Sequence, residues 1–177
     1  MKFNELVKKI LHPILDEYGF KLIKDSNYIV QFESAVLRVN VTFDEREKSN
    51  FIEIGNPDDI MLPLSDGAIR NVFHMNIQID NAPSEIFLKN IALFFRQKSG
   101  IELLEGRVDG LRKYVFQESK AYTSKLIFEQ ELEKFSREWN NKKYQNAVEI
   151  AENIGVDRLP RGFFLKYKFA KKKSISS

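Results

Sequence analysis

Residues 28–43 read YIVQFESAVLRVNVTF and decide the fold. Along this stretch, apolar side chains take every second position of two runs and alternate with Gln31 and Glu33 in the first run and with Arg38, Asn40 and Thr42 in the second. A period of two is typical of strands with one apolar and one polar face, and a short connection makes such strands antiparallel neighbours. The apolar positions are Tyr28, Val30 and Phe32, followed by Leu37, Val39, Val41 and Phe43.

The same alternation extends the sheet on both sides. Residues 21–24 form a short strand before turn residues 25–27, and residues 51–54 resume the pattern after the polar loop at residues 44–50. Together these segments predict a four-stranded antiparallel meander. Residues 56–82, in which turns alternate with short apolar pieces, receive no assignment.

An amphipathic helix precedes the sheet. Pro13 lacks a backbone donor and is predicted to kink or divide this helix, while Gly19 is predicted to end it. We expect the helix to cover the apolar face of the sheet. Its apolar residues, at spacings of three and four, are Phe3, Leu6, Val7, Ile10, Leu11, Ile14, Leu15 and Tyr18.

Helical periodicity dominates after Pro83, and a first helix is expected to end near residues 99–100. Further apolar stripes cover residues 104–122 and 128–139, and a short helix over 144–154 ends at Gly155. The sequence therefore predicts an α+β fold. An N-terminal helix packs on an antiparallel β-meander in residues 1–82, a helical C-terminal half follows in residues 83–177, and both form one compact unit.

Charge is distributed unevenly along the chain. Residues 1–100 hold 12 Lys+Arg against 14 Asp+Glu, whereas residues 101–177 hold 16 against 11. From Arg158 onward there are seven cations and no anion, which predicts a basic C-terminal arm whose last residues, 171–177, fray. The chain has no cysteine, no signal-peptide pattern and no apolar run long enough for a membrane span, so we expect a soluble cytoplasmic protein.

No catalytic pattern is convincing in the sequence. His12 and His74 are the only histidines, and the glycines form no phosphate-binding loop. Asp58 with Glu118 and Lys120 matches a nuclease pattern in letters, but that pattern requires the Glu-x-Lys on a strand and here it lies on a helical stripe. We therefore expect no enzyme activity, no metal and no cofactor.

The C-terminus matches part of a helix-turn-helix pattern. Ala151, Gly155 and Val156 have the required spacing, but Pro160 and Gly162 fall inside the second helix of such a motif. The alternative is a helical hairpin that closes the domain and carries a solvated basic tail. Cations that could contact nucleic-acid phosphates are Arg158, Arg161, Lys166, Lys168, Lys171, Lys172 and Lys173.

The N-terminal run contains Leu11-His12-Pro13-Ile14-Leu15 and Tyr18-Gly19-Phe20, and Phe32-Glu33-Ser34 follows it. Over about the first 55 residues, the chain resembles a set of small bacterial proteins, several of which are similar to the immunity proteins of toxin–immunity systems. The resemblance implies a non-catalytic module that binds another protein. Candidate contacts are the polar strand positions Arg38, Asn40 and Thr42 and the loop residues Asp44, Glu45 and Glu47.

Overall fold

The computed structural model describes residues 2–175 and shows the predicted α+β class, with helices before and after an antiparallel sheet. Its contacts group the chain into two units, Met1–Gln117 (unit 1) and Glu118–Ser177 (unit 2). The division between the units falls within the segment that the sequence marks as one helical region. Each unit has its own apolar core.

Two short helices open unit 1, namely α1 (Phe3–Ile10) and α2 (His12–Glu17). They meet at Leu11, so the prediction that Pro13 divides the helix is confirmed. Gly19 has a φ of 77° and donates its N–H to the Asp16 carbonyl at 3.0 Å. The Phe20 N–H bonds the Leu15 carbonyl at 3.1 Å, which completes a Schellman end to α2.

The sheet has five strands in chain order, β1 (Lys21–Asp25), β2 (Ile29–Glu33), β3 (Arg38–Asp44), β4 (Ser49–Gly55) and β5 (Leu62–Pro63). The predicted meander of four antiparallel strands is confirmed, and β5 adds a short fifth strand from the unassigned segment. The inner face is buried under α1 and α2, where the Phe3 ring lies 5.6 Å from that of Phe43. On the opposite face, the alternate positions of β3 are half-buried.

Side-chain carboxylates hold the segment that the sequence leaves unassigned. Helix α3 (Asp66–Asn71) follows β5, and Asp66 Oδ1 accepts the backbone N–H groups of Ile79 and Asp80, the latter at 2.9 Å. In return, Asp80 Oδ2 accepts the N–H of Asp66 at 3.0 Å. Because these bonds join residues 13 or 14 apart, periodicity along the chain does not reveal them.

Two expectations for the helices that follow are wrong. The first helix, α4 (Ser84–Phe95), ends before residues 99–100, because α5 (Lys98–Leu104) begins there and contains Gly100. The stripe over residues 104–122 is not one helix, since Gly106 has a φ of 102° between α5 and α6 (Asp109–Asn140). A residue with that φ cannot belong to a right-handed helix.

Unit 2 consists of the C-terminal part of α6 with α7 (Tyr144–Ile154), a 3-10 turn (Val156–Arg158) and α8 (Arg161–Ile175). The predicted end of the short helix at Gly155 is confirmed, and α6 ends at Asn140, just after the stripe over residues 128–139. The expected fraying of residues 171–177 is wrong for residues 171–175, which continue α8, whereas Ser176 and Ser177 lie outside the described residues. The buried core of unit 2 comprises Phe135, Ala147, Val148, Ala151, Ile154, Leu159, Tyr167 and Ala170.

Candidate functional site

The structure places three predicted contact residues together on the solvent side of the sheet. Arg38, Asn40 and Thr42 occupy alternate positions of β3 and are half-buried. We call these residues and their cross-strand neighbours the outer sheet face. Asn40 lies between Gln31 and Glu53, and Thr42 lies between Ile29 and Phe51, whose side chain is 48% exposed. The face therefore combines polar and charged side chains with an accessible aromatic ring.

Arg38 is less available than its two neighbours because it is paired within the face. Its Nε atom donates to Glu33 Oε2 at 2.7 Å, and Glu33 is its direct cross-strand neighbour. By contrast, the Oδ1 atom of Asn40 is buried and has no hydrogen-bond partner among the described residues. Because that atom is itself buried, the accessible part of the face is formed by its neighbours, above all Phe51.

The loop residues predicted as contacts divide into one structural and two accessible carboxylates. Asp44 accepts the N–H groups of Arg46 and Glu47 at 2.8 and 3.1 Å, and these bonds hold the pKa of its carboxyl below the usual range. Asp44 thus closes the turn between β3 and β4. Glu45 and Glu47 are exposed, and a hydrogen bond to Glu45 raises the pKa of Tyr28. These two glutamates remain accessible to a partner.

Sequence reasoning missed a cleft of about 490 Å³ at the edge of β4. We call it the β4 cleft. Its apolar lining includes Phe51, Leu64 and Phe87, and its polar lining includes Ser49, Glu53 and Asp80. Burial raises the pKa of the Asp80 carboxyl. Alternation along β4 could have suggested Glu53, but Asp80 belongs to the segment for which the sequence supports no assignment.

One wall of the β4 cleft is fixed by side-chain hydrogen bonds across unit 1. Asn50 Nδ2 donates to the Ala82 carbonyl at 2.9 Å, and the Ser84 hydroxyl donates to Asn50 Oδ1 at 2.8 Å. These bonds connect β4 to the chain just before α4. A cleft with connected walls and a few polar groups is the usual form of a binding site.

The predicted phosphate contacts lie on or beside α8, and Arg158 and Lys171 show how they interact with the rest of unit 2. Arg158 lies over the Phe128 ring, with 5.3 Å between its Cζ atom and the ring centroid. Lys171 donates to Glu152 Oε1 at 2.9 Å, and this bond lowers the pKa of the Glu152 carboxyl. The remaining predicted cations belong to α8 and are Arg161, Lys166, Lys168, Lys172 and Lys173.

The segment after Gly155 differs from the second half of a helix-turn-helix motif. Residues 156–158 form the 3-10 turn, and α8 begins only at Arg161, directly after Pro160. Leu159 and Tyr167 are buried in the core of unit 2, so α8 is part of the folded unit. Deleting residues 158–177 would therefore expose this core, and substitutions of single charges are the better test of α8.

Aromatic side chains accompany the cations of unit 2. The Phe169 ring lies 5.4 Å from Trp139 and 5.9 Å from Tyr144. Lys166 lies 5.9 Å from the centroid of the Trp139 ring. The sequence assigns Trp139 and Tyr144 to helix packing alone, because their proximity to Phe169 depends on the pairing of helices.

Other classes of site have little support in the described residues. Glu118 and Lys120 of the nuclease-like pattern lie in helix α6, whereas that pattern requires these residues on a strand. Within residues 2–175, no three His, Asp or Glu side chains are grouped so as to hold a metal ion. No described helix combines the length and apolarity that crossing a membrane requires. No protein-family model matches the chain, and no curated protein or solved structure shows significant similarity to it.

Proposed function

We propose that the protein is a non-catalytic binding module of the immunity type, which recognises another protein through the outer sheet face of unit 1. The observation that carries the proposal is the Phe51 ring, which is 48% exposed among the polar side chains of this face. Protein interfaces favour an aromatic centre surrounded by polar groups. Thr42 lies directly across from Phe51 and belongs to the same surface.

Charge supports a basic partner for this surface. Unit 1 holds 15 Lys+Arg against 17 Asp+Glu, and the accessible Glu45 and Glu47 follow β3 directly. Complementary charge increases the rate of encounter between two proteins and disfavours partners of the wrong sign. A module that acts by covering the surface of a basic partner needs no catalytic group.

Replacing Thr42 by arginine tests the proposal. The variant places a long cation beside Phe51, so we expect the affinity for the protein partner to fall by at least about tenfold, as for a substitution at an interface centre. Gln97→Arg, which adds the same charge at an exposed position between α4 and α5, is the control and should leave the affinity unchanged. Biolayer interferometry with the partner captured from the native host measures both. Equal binding by Thr42→Arg and the wild type would contradict the proposal.

A second candidate function, nucleic-acid binding, is favoured by one observation in unit 2. Lys168 lies 4.6 Å from the centroid of the Phe164 ring, and Lys166 lies over the Trp139 ring. Lysines next to aromatic rings can contact phosphates while the rings stack on bases. The basic α8 then acts through its side chains, without the geometry of a helix-turn-helix.

Salt dependence distinguishes this candidate from solvation of a charged surface. If Lys168 contacts a phosphate, Lys168→Ala should reduce the slope of log affinity against log salt concentration by about 1. Fluorescence anisotropy with a labelled single-stranded oligonucleotide measures the slope, and Lys24→Ala in unit 1 is the control. Absence of binding by the wild type at low salt would remove the candidate.

A further inference from the structure

The edge of β4 is only partly occupied by a neighbouring strand. β5 pairs with Glu53 and Ile54, and the Leu64 N–H donates to the Ile52 carbonyl at 3.0 Å. In an antiparallel sheet, the backbone groups of every second residue point to the same side. The N–H and carbonyl of Asn50 therefore point to the same edge as those of Ile52. No described strand pairs with this edge at residues 49–51.

The β4 cleft lies along this unoccupied stretch and has an acidic lining. Glu53 and Asp80 contribute carboxylates, and the described residues that line the cleft include no Lys or Arg. The hydroxyl of Ser49 is buried there without a hydrogen-bond partner. The site thus offers carboxylate acceptors beside the exposed Phe51 ring, and its apolar wall includes the largely buried Leu64 and Phe87.

We propose that the β4 cleft binds an extended, basic segment of the protein partner. The backbone of such a segment would bond the open edge at Asn50 and lengthen the sheet locally, as in other complexes formed by strand addition. A Lys or Arg side chain of the segment would lie against the carboxylates of Glu53 and Asp80. The acidic lining disfavours nucleic acid at this cleft, because phosphates would meet like charge.

The inference rests on the proposed function, since the cleft continues the outer sheet face. Glu53 is the cross-strand neighbour of Asn40, and Phe51 is that of Thr42. The two residues of β4 therefore belong both to the face and to the lining of the cleft. A partner covering the face can place one of its extended segments along β4 without leaving the surface.

Selection from a random peptide library displayed on phage, with the full-length protein immobilised, tests the inference. We expect enrichment of peptides that carry Lys or Arg next to β-branched or aromatic residues. For a synthesised selected peptide, fluorescence polarisation should show at least about tenfold weaker binding to Glu53→Gln, as for the loss of a charge-assisted contact. Enrichment of acidic peptides, or of none, would overturn the inference.

Two further variants keep the test independent of folding. Asp80→Asn retains an oxygen that can accept the Asp66 N–H, and it should also weaken binding of the selected peptide. Glu17→Gln removes an exposed carboxylate at the end of α2, outside the cleft, and should bind like the wild type. Equal affinities of Glu53→Gln, Asp80→Asn and Glu17→Gln for the selected peptide would overturn the inference. If the natural partner binds Glu53→Gln normally but loses Thr42→Arg, the cleft proposal fails and the proposed function stands.

Discussion

Replacing Phe135 by alanine is expected to destabilise unit 2 by about 3–5 kcal/mol, the usual cost of deleting a fully buried aromatic side chain. Phe135 is 0% exposed, and its ring lies 5.5 Å from that of Phe163 in α8. The side chain thus joins α6 to α8, and its loss leaves a cavity that the three helices of a small unit can fill only partly.

Chemical denaturation followed by tryptophan fluorescence measures this effect, because Trp139 is the only tryptophan and its ring stacks on Phe135 at 6.5 Å. Ile127→Ala is a suitable control, since Ile127 is 54% exposed and its truncation should change stability by less than about 0.5 kcal/mol. A Phe135→Ala variant that unfolds at the wild-type denaturant concentration would show that unit 2 does not depend on this core.

Replacing Gly100 by alanine is expected to destabilise unit 1 by at least about 1–3 kcal/mol, the range for overpacking a filled interior. A Cβ atom at Gly100 would lie 2.1 Å from the Phe94 carbonyl oxygen and 2.7 Å from the Phe95 Cα atom. Both atoms are backbone, so the junction of α4 and α5 must shift to admit the methyl group.

Hydrogen exchange of the β3 and β4 amides measures the stability of unit 1 in this variant. Faster exchange is expected in Gly100→Ala and unchanged exchange in Ser99→Ala, which places alanine at the preceding helical position without adding a side-chain atom. Wild-type exchange in Gly100→Ala would contradict the close approach of α5 to the end of α4.

The sheet could be predicted from the sequence because its signal is local. Val39 and Val41 alternate with Asn40 and Thr42, and each strand joins the next through a short turn. The alternation and the strand pairing therefore place the same residues on the same face. The segment with α3 could not be predicted in this way. It is held by reciprocal bonds between Asp66 and Asp80, and nothing in the local pattern indicates which distant backbone a carboxylate will bind.

The helical region shows the same limit. The apolar stripe over residues 104–122 is continuous in spacing, yet Gly106 adopts a positive φ and divides it. Glycine permits that conformation at low cost, but the sequence does not say whether it is used. For the candidate surfaces too, the parts set by local alternation could be predicted and the parts set by distant contacts could not. Asn40 and Thr42 could be placed on one face from their alternation, whereas the β4 cleft depends on the approach of Asp80 and Leu64 to β4.

Site-specific photo-crosslinking from the outer sheet face tests the central proposal most directly. A photoreactive phenylalanine analogue at Phe51, which is 48% exposed, is activated in nuclease-treated extract of the native host. A second variant, which carries the analogue at Phe169 of α8, is the matched control, because Phe169 is similarly exposed at 46%. We predict one protein crosslinked from Phe51, at a yield that falls in Thr42→Arg. Crosslinking from Phe169 alone would contradict recognition through the sheet. Crosslinking from Phe51 to nucleic acid, when nuclease is omitted, would contradict it as well.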